Sequence, residues 1–454
     1  MLSVLRNRTY RHLFTAQVVA LVGTGLATVA LSLLAYRIAG ADASAVLGTA
    51  LAIKMIAYVA IAPVIGAVAD RIPRRALLVS MDLTRAGVAL TLPFVTQVWQ
   101  IYLLIFLLQS ASAAFTPTFQ ATVPEVLPAE RDYTQALSMT RIAYDLESLF
   151  SPALAAALLA VVPYGWLFAG TTIGFLASAA LVASVALPRP APVERSGSGY
   201  AKAAFGTRLF WATPRLRALL TLDLAVAAAG AIVFVNTVVL VRDHFHRPAG
   251  AVSLALGAYG AGSMLAALLL PRALRRLSDR AVMLPAAFAL PLILAAVAAL
   301  TAAGPSGWSW SALLAAWAAI GAACSAVLTP GGRVLRRSTG EADLPAAFAA
   351  QFSLSHSCWL LTYPLAGWLA AGAGLPLTAV VLGALALAAT VAATACWPAR
   401  DPAALQHVHT DLPADHPHLT DAHPAAQGWL HGHTYVIDQH HHRWPAPRRT
   451  ARTG

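Results

Sequence analysis

The sequence predicts an all-α membrane protein of twelve transmembrane helices arranged as two related six-helix halves. Three observations lead there. The chain is 58% hydrophobic and only 11% charged, too little polar surface for a soluble domain to show to water. Its apolar residues fall in blocks of roughly 20 to 28, each long enough to cross a bilayer core as a helix. The arginines collect in alternate loops, the pattern by which membrane proteins orient themselves.

In order along the chain, spans are expected near 12–36, 43–69, 76–97, 99–121, 134–161 and 164–187, then near 218–241, 249–271, 281–303, 308–332, 343–371 and 374–397. Arg71, Arg74 and Arg75 fall in one loop; Arg131, the stretch Arg189 to Arg217, Arg272 to Arg280, and the group Arg333, Arg336 and Arg337 fall in others. The intervening loops hold only Arg37, Arg242 and Arg247. This bias puts both termini and the long middle loop in the cytoplasm of a cell-membrane protein. The middle segment, LPRPAPVERSGSGYAKAAFGTR, is rich in Pro, Gly and Ser and divides the spans six and six. The expected organisation is therefore an N-terminal half over 1–187, a central loop over 188–217, a C-terminal half over 218–398 and a His-rich tail over 399–454. A weak internal echo relates the halves: Asp132 aligns with Asp343, and Pro152 with Pro364 within a residue.

Other classes are excluded by what the residues lack. The net charge of +12 lies between apolar blocks and forms no basic, aromatic-interleaved face for nucleic acid. Cys324, Cys358 and Cys396 are far apart inside apolar blocks, which is neither a disulfide framework nor a zinc motif. No small-residue cleavage site follows the first span, so it is read as a retained helix. GAYGAG (Gly257 to Gly262) sits inside a span with no preceding strand and reads as a helix-packing segment. With no Walker motif, triad or metalloprotease pair, the chain is not expected to be an enzyme, and a proton gradient is the expected energy source with no cofactor.

One loop carries a specific signature. GAVADRIPRR joins spans two and three and contributes Gly66, Asp70, Arg71, Arg74 and Arg75. It resembles the loop motif of the major facilitator superfamily. Gly66 would let two helices approach, and Asp70 at a helix end would pair with an arginine or a helix N-terminus in one access state and release it in the other. The second half has LLLPRALRRLSDR, which keeps the basic cluster but lacks the preceding Asp, so the same latch is not expected there. Glu147, Ser151-Pro152 and Ala155-Ala156 in span five resemble the motif of proton-coupled antiporters of that superfamily, with the first Gly missing. AAFTPTFQATVPEVLP resembles its siderophore and drug exporters. The resemblance implies alternating access between two six-helix halves.

Ionisable residues inside spans cost several kcal/mol on insertion scales, so each is a functional candidate. Lys54, Arg141, Asp145, Glu147 and His356, with Tyr363 on the His356 face, are the expected cavity and proton-coupling set. Arg141 and Asp145, four apart, share a face, as do Asp82 and Arg85, three apart; the latter read as a structural ion pair. Asp145 and Glu147, two apart, point to different sides. One of them is the expected protonating carboxylate, with Lys54 as counter-charge. Asp223 is a further intramembrane acid.

The tail holds ten of the chain's fourteen histidines. His407, His409, His416, His418, His431, His433, His440, His441 and His442 are the expected metal ligands, since clustered imidazoles with nearby carboxylates suit nickel, cobalt, copper or zinc. Among major facilitators a His-rich tail resembles the nickel-resistance exporters, which implies efflux of a divalent metal. Against this, Lys54 would repel a dication, and no clustered His/Cys/Asp site is visible in the spans. A siderophore or drug exporter is the alternative, and a metal sensor that transports nothing is a third. The expected partners are the bilayer and a small substrate or divalent metal ion, with no nucleic acid; the protein is expected to be a monomer.

Overall fold

The computed structural model describes residues 2–39, 43–68, 72–188, 199–248, 250–399, 404–410, 412–413, 416–438, 441 and 444–445. The first half contains α1 (Arg8–Ala39), α2 (Ala43–Val68), α3 (Arg74–Thr91), α4 (Val98–Val126), α5 (Glu130–Leu159) and α6 (Gly165–Ala183). After α7 (Gly199–Ala212) come α8 (Pro214–Val239), α9 (Gly250–Ala273), α10 (Asp279–Ala303), α11 (Ser309–Leu328), the short α12 (Gly331–Ser338) and α13 (Leu344–Cys396). Among the described residues, nine helical stretches are long and apolar enough to cross a membrane. The last of these holds two arms. At Gly374 the backbone turns to a φ of +82°, a conformation open to glycine, and Pro376 follows. Both arms return to one face: Ala346 meets Gly206 of α7, while Thr390 lies beside Ala287 in the first turns of α10.

Within the first half α1 packs on α5 and α6, α3 on α4 and α6, and α2 on α4; in the second, α8 and α10 pack on α13 and α9 on α11. The halves meet where α2 lies against the first arm of α13 and where α5 lies against α9. Large apolar side chains such as Phe94, Leu292 and Trp368 remain exposed on the outside, as a lipid-facing surface requires. The GAYGAG stretch lies in α9 and serves packing: a Cβ on Gly262 would sit 1.9 Å from the Ala318 carbonyl oxygen, and one on Gly321 2.0 Å from that of Tyr259. Backbone contact this close needs glycine on both helices. Gly321→Val is expected to cost at least the upper end of the roughly 1–3 kcal/mol typical of overpacking. A fall in the thermal unfolding midpoint of the detergent-solubilised chain checks this; an unchanged midpoint refutes the close contact.

Two segments differ from expectation. The second part of the predicted central loop is helical: α7 packs on α2 and α13, and Gly206 admits the Ala346 backbone, which a Cβ would meet at 2.4 Å. The Pro, Gly and Ser that signalled a loop crowd the first part of that segment, whereas GYAKAAFGTRLFWA is a helix-forming, apolar run. The tail of a chain expected to be all-α carries a three-stranded antiparallel sheet of order β1-β3-β2, formed by β1 (Ala404–His409), β2 (His423–Ala425) and β3 (Gly428–Thr434). Gly428, at φ +112°, closes the β2–β3 turn against the His409 carbonyl. Tyr435 and Ile437 join the apolar core of the second half, and Trp444 packs against it. The Trp444 ring also lies 5.2 Å from the Arg215 guanidinium at the start of α8.

Candidate functional site

Between the halves lies a cavity of about 570 Å³, lined by side chains of both. From the first half come Lys54 and Tyr58 on α2, Arg85 on α3 and Arg141, Tyr144 and Glu147 on α5; from the second come Asp223 on α8 and Gln351, His356 and Trp359 on α13. Helical spacing accounts for the selection on α5. Glu147 reaches the cavity, whereas Asp145, two residues earlier, is buried beside α9. There Asp145 pairs with Arg141 at 3.0 Å, and Arg141 Nε donates to Ser263 Oγ at 2.9 Å, tying the halves together.

Glu147 packs against α1 where Gly25 leaves room: a Cβ there would lie 3.0 Å from its Oε1 and 2.1 Å from the Ser151 side chain. Lys54 lies close enough to Glu147 to interact with it electrostatically, and its ammonium is 5.6 Å from the Tyr58 ring centroid. Tyr58 donates to Gln109 at 2.9 Å and meets the His356 ring edge-on at 4.7 Å. His356 Nδ1 donates to the Phe352 carbonyl at 2.7 Å, which leaves Nε2 as an acceptor. Tyr363, one turn beyond, lies tilted against Trp359 at 5.1 Å and does not line the cavity. Asp82 pairs with Arg85, accepts from Ser178 at 2.7 Å, and is fully buried.

Asp223 is buried, and its Oδ2 accepts from Gln351 Nε2 at 2.7 Å while Oδ1 has no hydrogen-bond partner. Gln351 carries no charge, so the signal for it in the sequence is a neutral amide inside an apolar span.

Of the loop signature, Gly66 lies in α2, Arg75 is exposed, and Asp70 and Arg71 lie outside the described residues. Arg74 is buried, paired with Glu125 at 2.5 Å and near the Ala121 carbonyl at 3.5 Å. The second half carries an ion-paired cluster of a different construction. Asp279 follows its basic cluster instead of preceding it, and it is almost wholly buried at the start of α10. It pairs with Arg333 at 3.0 Å and Arg337 at 3.3 Å, both on α12. Arg333 also crosses to the first half, to Glu130 at 2.5 Å and Thr134 at 2.7 Å, while Arg336 donates to the Pro128 carbonyl at 2.8 Å. These bonds bridge the halves on the face where Ser3 meets Gln135. An acid after a loop instead of before it looks unremarkable in sequence, and so this pairing was missed.

In the tail the period of two along a strand sorts the histidines. His407 pairs directly with His431 across β1 and β3, and Leu405 with His433, so the two His-x-His runs share one sheet face. His418 and His441 close over them. One ring nitrogen from each of His407, His418, His431, His433 and His441 falls within 4.8 Å of all the others. His409 adjoins the group, with its Nε2 3.0 Å from that of His407. His416 stands at its edge, accepting from the His418 backbone at 3.2 Å; His440 and His442 lie outside the described residues. Burial, with the neighbouring imidazoles adding to it, holds His407 and His418 down to about 4 and lowers His431, which favours their neutral, lone-pair-bearing forms.

Comparison with known proteins places this architecture. The transmembrane secretion effector family matches residues 1–330. An uncharacterised MFS-type transporter of Bacillus subtilis is 25% identical over 215 residues, 46% of this chain and 51% of that protein. Macrolide efflux protein A of Streptococcus pyogenes is 24% identical over 182 residues, 39% of this chain and 44% of that protein. The chain thus spans about half the length of the curated relatives it matches. Among solved structures, the human organic anion transporter MFSD10 superposes with a TM-score of 0.69 at 15% identity, covering 85% of this chain and 99% of that one. A bacterial homologue of the iron transporter ferroportin, in an outward-facing state, superposes with a TM-score of 0.68 at 16% identity, covering 86% and 99%. The two-halved helical architecture and the family match agree: the chain is a multi-pass membrane protein of the major facilitator fold and belongs to the transmembrane secretion effector family.

Proposed function

We propose that the protein exports a small organic compound by proton-coupled alternating access, through the cavity between its halves. The observation that carries this reading is the cavity itself. About 570 Å³ bounded by aromatic rings and a few convergent polar groups is the scale and chemistry of a drug-sized ligand site. Lys54 and Glu147 face it from the first half, and Asp223 with Gln351 from the second. Glu147 serves as the proton-carrying acid with Lys54 as its counter-charge, and the Asp223 carboxylate receives a cationic group of the substrate. The name of the macrolide efflux relative is in keeping with an organic cargo. The arginine-rich face faces the cytoplasm, and the chain works as a monomer in the cell membrane.

Nickel or cobalt antiport is the second reading, favoured by the five-imidazole group in the tail. Among the described residues no comparable group of three or more metal-ligating side chains lies in the cavity. The test is uptake into inverted membrane vesicles of radiolabelled erythromycin, ethidium, nickel and cobalt, each with and without a proton gradient. Gradient-dependent flux of an organic cation supports the first reading; gradient-dependent nickel or cobalt flux alone overturns it in favour of the second. Asp223→Asn is expected to raise the KM for a cationic compound about tenfold, the loss of one charge-assisted bond. An unchanged KM removes Asp223 from the substrate site.

A further inference from the structure

We propose that the tail module binds one divalent first-row transition-metal ion as a resident ligand, held by His407, His418, His431, His433 and His441 with Asp438 orienting His441. Hydrogen bonds fix the protons of three of these rings. His407 Nδ1 lies 3.1 Å from the Leu405 carbonyl, His433 Nδ1 2.7 Å from that of Thr434, and His441 Nδ1 2.9 Å from Asp438 Oδ1. Each of these oxygens accepts a hydrogen bond, so each Nδ1 carries the proton and each Nε2 presents a lone pair.

Those lone pairs converge. His407 Nε2 has the Nε2 atoms of His409, His431 and His441 at 3.0, 3.1 and 2.9 Å, and His441 Nε2 also has that of His418 at 3.3 Å. One in-plane lone pair cannot satisfy three neighbours by hydrogen bonding. His433 Nε2 is buried and has no hydrogen-bond partner. A cation at the centre converts this repulsion into coordination. With metal–nitrogen bonds of about 2.1 Å, adjacent ligand nitrogens in a four- to six-coordinate shell lie about 3.0–3.4 Å apart, which matches the spacing here. An all-imidazole set of this size suits nickel, cobalt, copper or zinc and offers nothing to magnesium or calcium. The carboxylate on His441 is the outer-shell partner that metal-bound imidazoles characteristically have.

The site is separate from the transport cavity. It also abuts the docking contacts of the module, since the His441 ring lies 4.5 Å from Tyr435, which meets Trp444 edge-on at 5.2 Å beside Arg215. Metal bound here therefore pins the tail to the second half.

The experiment is equilibrium dialysis of the full-length chain in detergent, purified without a histidine tag, against nickel and zinc, with magnesium as control. It is run on the unaltered chain and on a Glu147→Gln chain, so that the result does not depend on what the cavity transports. One tightly held nickel or zinc ion per chain is expected in both. His431→Ala combined with His441→Ala should weaken it at least a hundredfold, the conservative Asp438→Asn ten- to a hundredfold, and His423→Ala, on exposed β2, not at all. X-ray absorption should report a nitrogen-only shell with bonds near ~2.1 Å. Several weakly held ions, or binding that responds equally to His423→Ala and to Asp438→Asn, overturns the proposal.

Discussion

Glu147→Gln is expected to abolish proton-driven export while leaving the binding and exchange of substrate intact. The substitution keeps the shape of the side chain in the space that Gly25 leaves on α1, so packing is preserved. It removes the ability to alternate between a neutral and a charged state. On a half-buried position in an apolar span a bare carboxylate is costly, and its proton is exchanged when access or the Lys54 contact changes. With a permanently neutral amide the two access states no longer differ in proton affinity, and the gradient has nothing to act on. Gradient-driven flux into inverted vesicles should fall at least about a hundredfold, which corresponds to some 2.7 kcal/mol. Exchange of labelled for unlabelled substrate without a gradient should persist. Loss of both would make Glu147 a substrate ligand or a structural residue; retention of driven flux would pass the coupling role to Asp223.

The second large effect is expected at Arg333. This side chain joins Asp279 on its own half to Glu130 and Thr134 on the other. Glu130 is largely exposed, so its share is screened and small. The weight falls on Asp279, which is almost wholly buried and left with Arg337 alone when Arg333 is removed. A loss of about 2 kcal/mol from the closed state shifts the access equilibrium about thirtyfold. Arg333→Ala is therefore expected to open the face that carries these contacts. Labelling of a cysteine placed at Leu137, which lies under Gly332 of α12, by a membrane-impermeant maleimide measures the change in a background without other cysteines. Faster labelling that Arg333→Lys largely reverses is the expected result. An unchanged rate would show that the bond to Pro128 from Arg336 holds the face closed by itself.

Much of the architecture was legible in the sequence because the bilayer makes it so. A helix that must satisfy its own backbone and cover about 30 Å of hydrocarbon writes its length and apolarity directly into the chain. Thus α1 to α6, and α8 to α13 apart from the short α12, fall within a few residues of the expected spans. Spacing on a single helix was equally legible: the opposed faces of Asp145 and Glu147, and the pairing of Asp82 with Arg85, follow from 100° per residue. The same local rule set the His-x-His runs on one face once a strand was known to carry them.

What only the tertiary structure decided are relations between distant segments, for which a single sequence carries no ruler. That Arg333 meets Glu130 some two hundred residues away, that Gln351 orients Asp223, and that the tail histidines converge instead of waving in solvent all depend on which helix or strand packs beside which. Composition identified the residues able to do chemistry in this protein. Packing chose among them, because hydrogen bonds and ion pairs are decided over ångströms that only the folded chain defines.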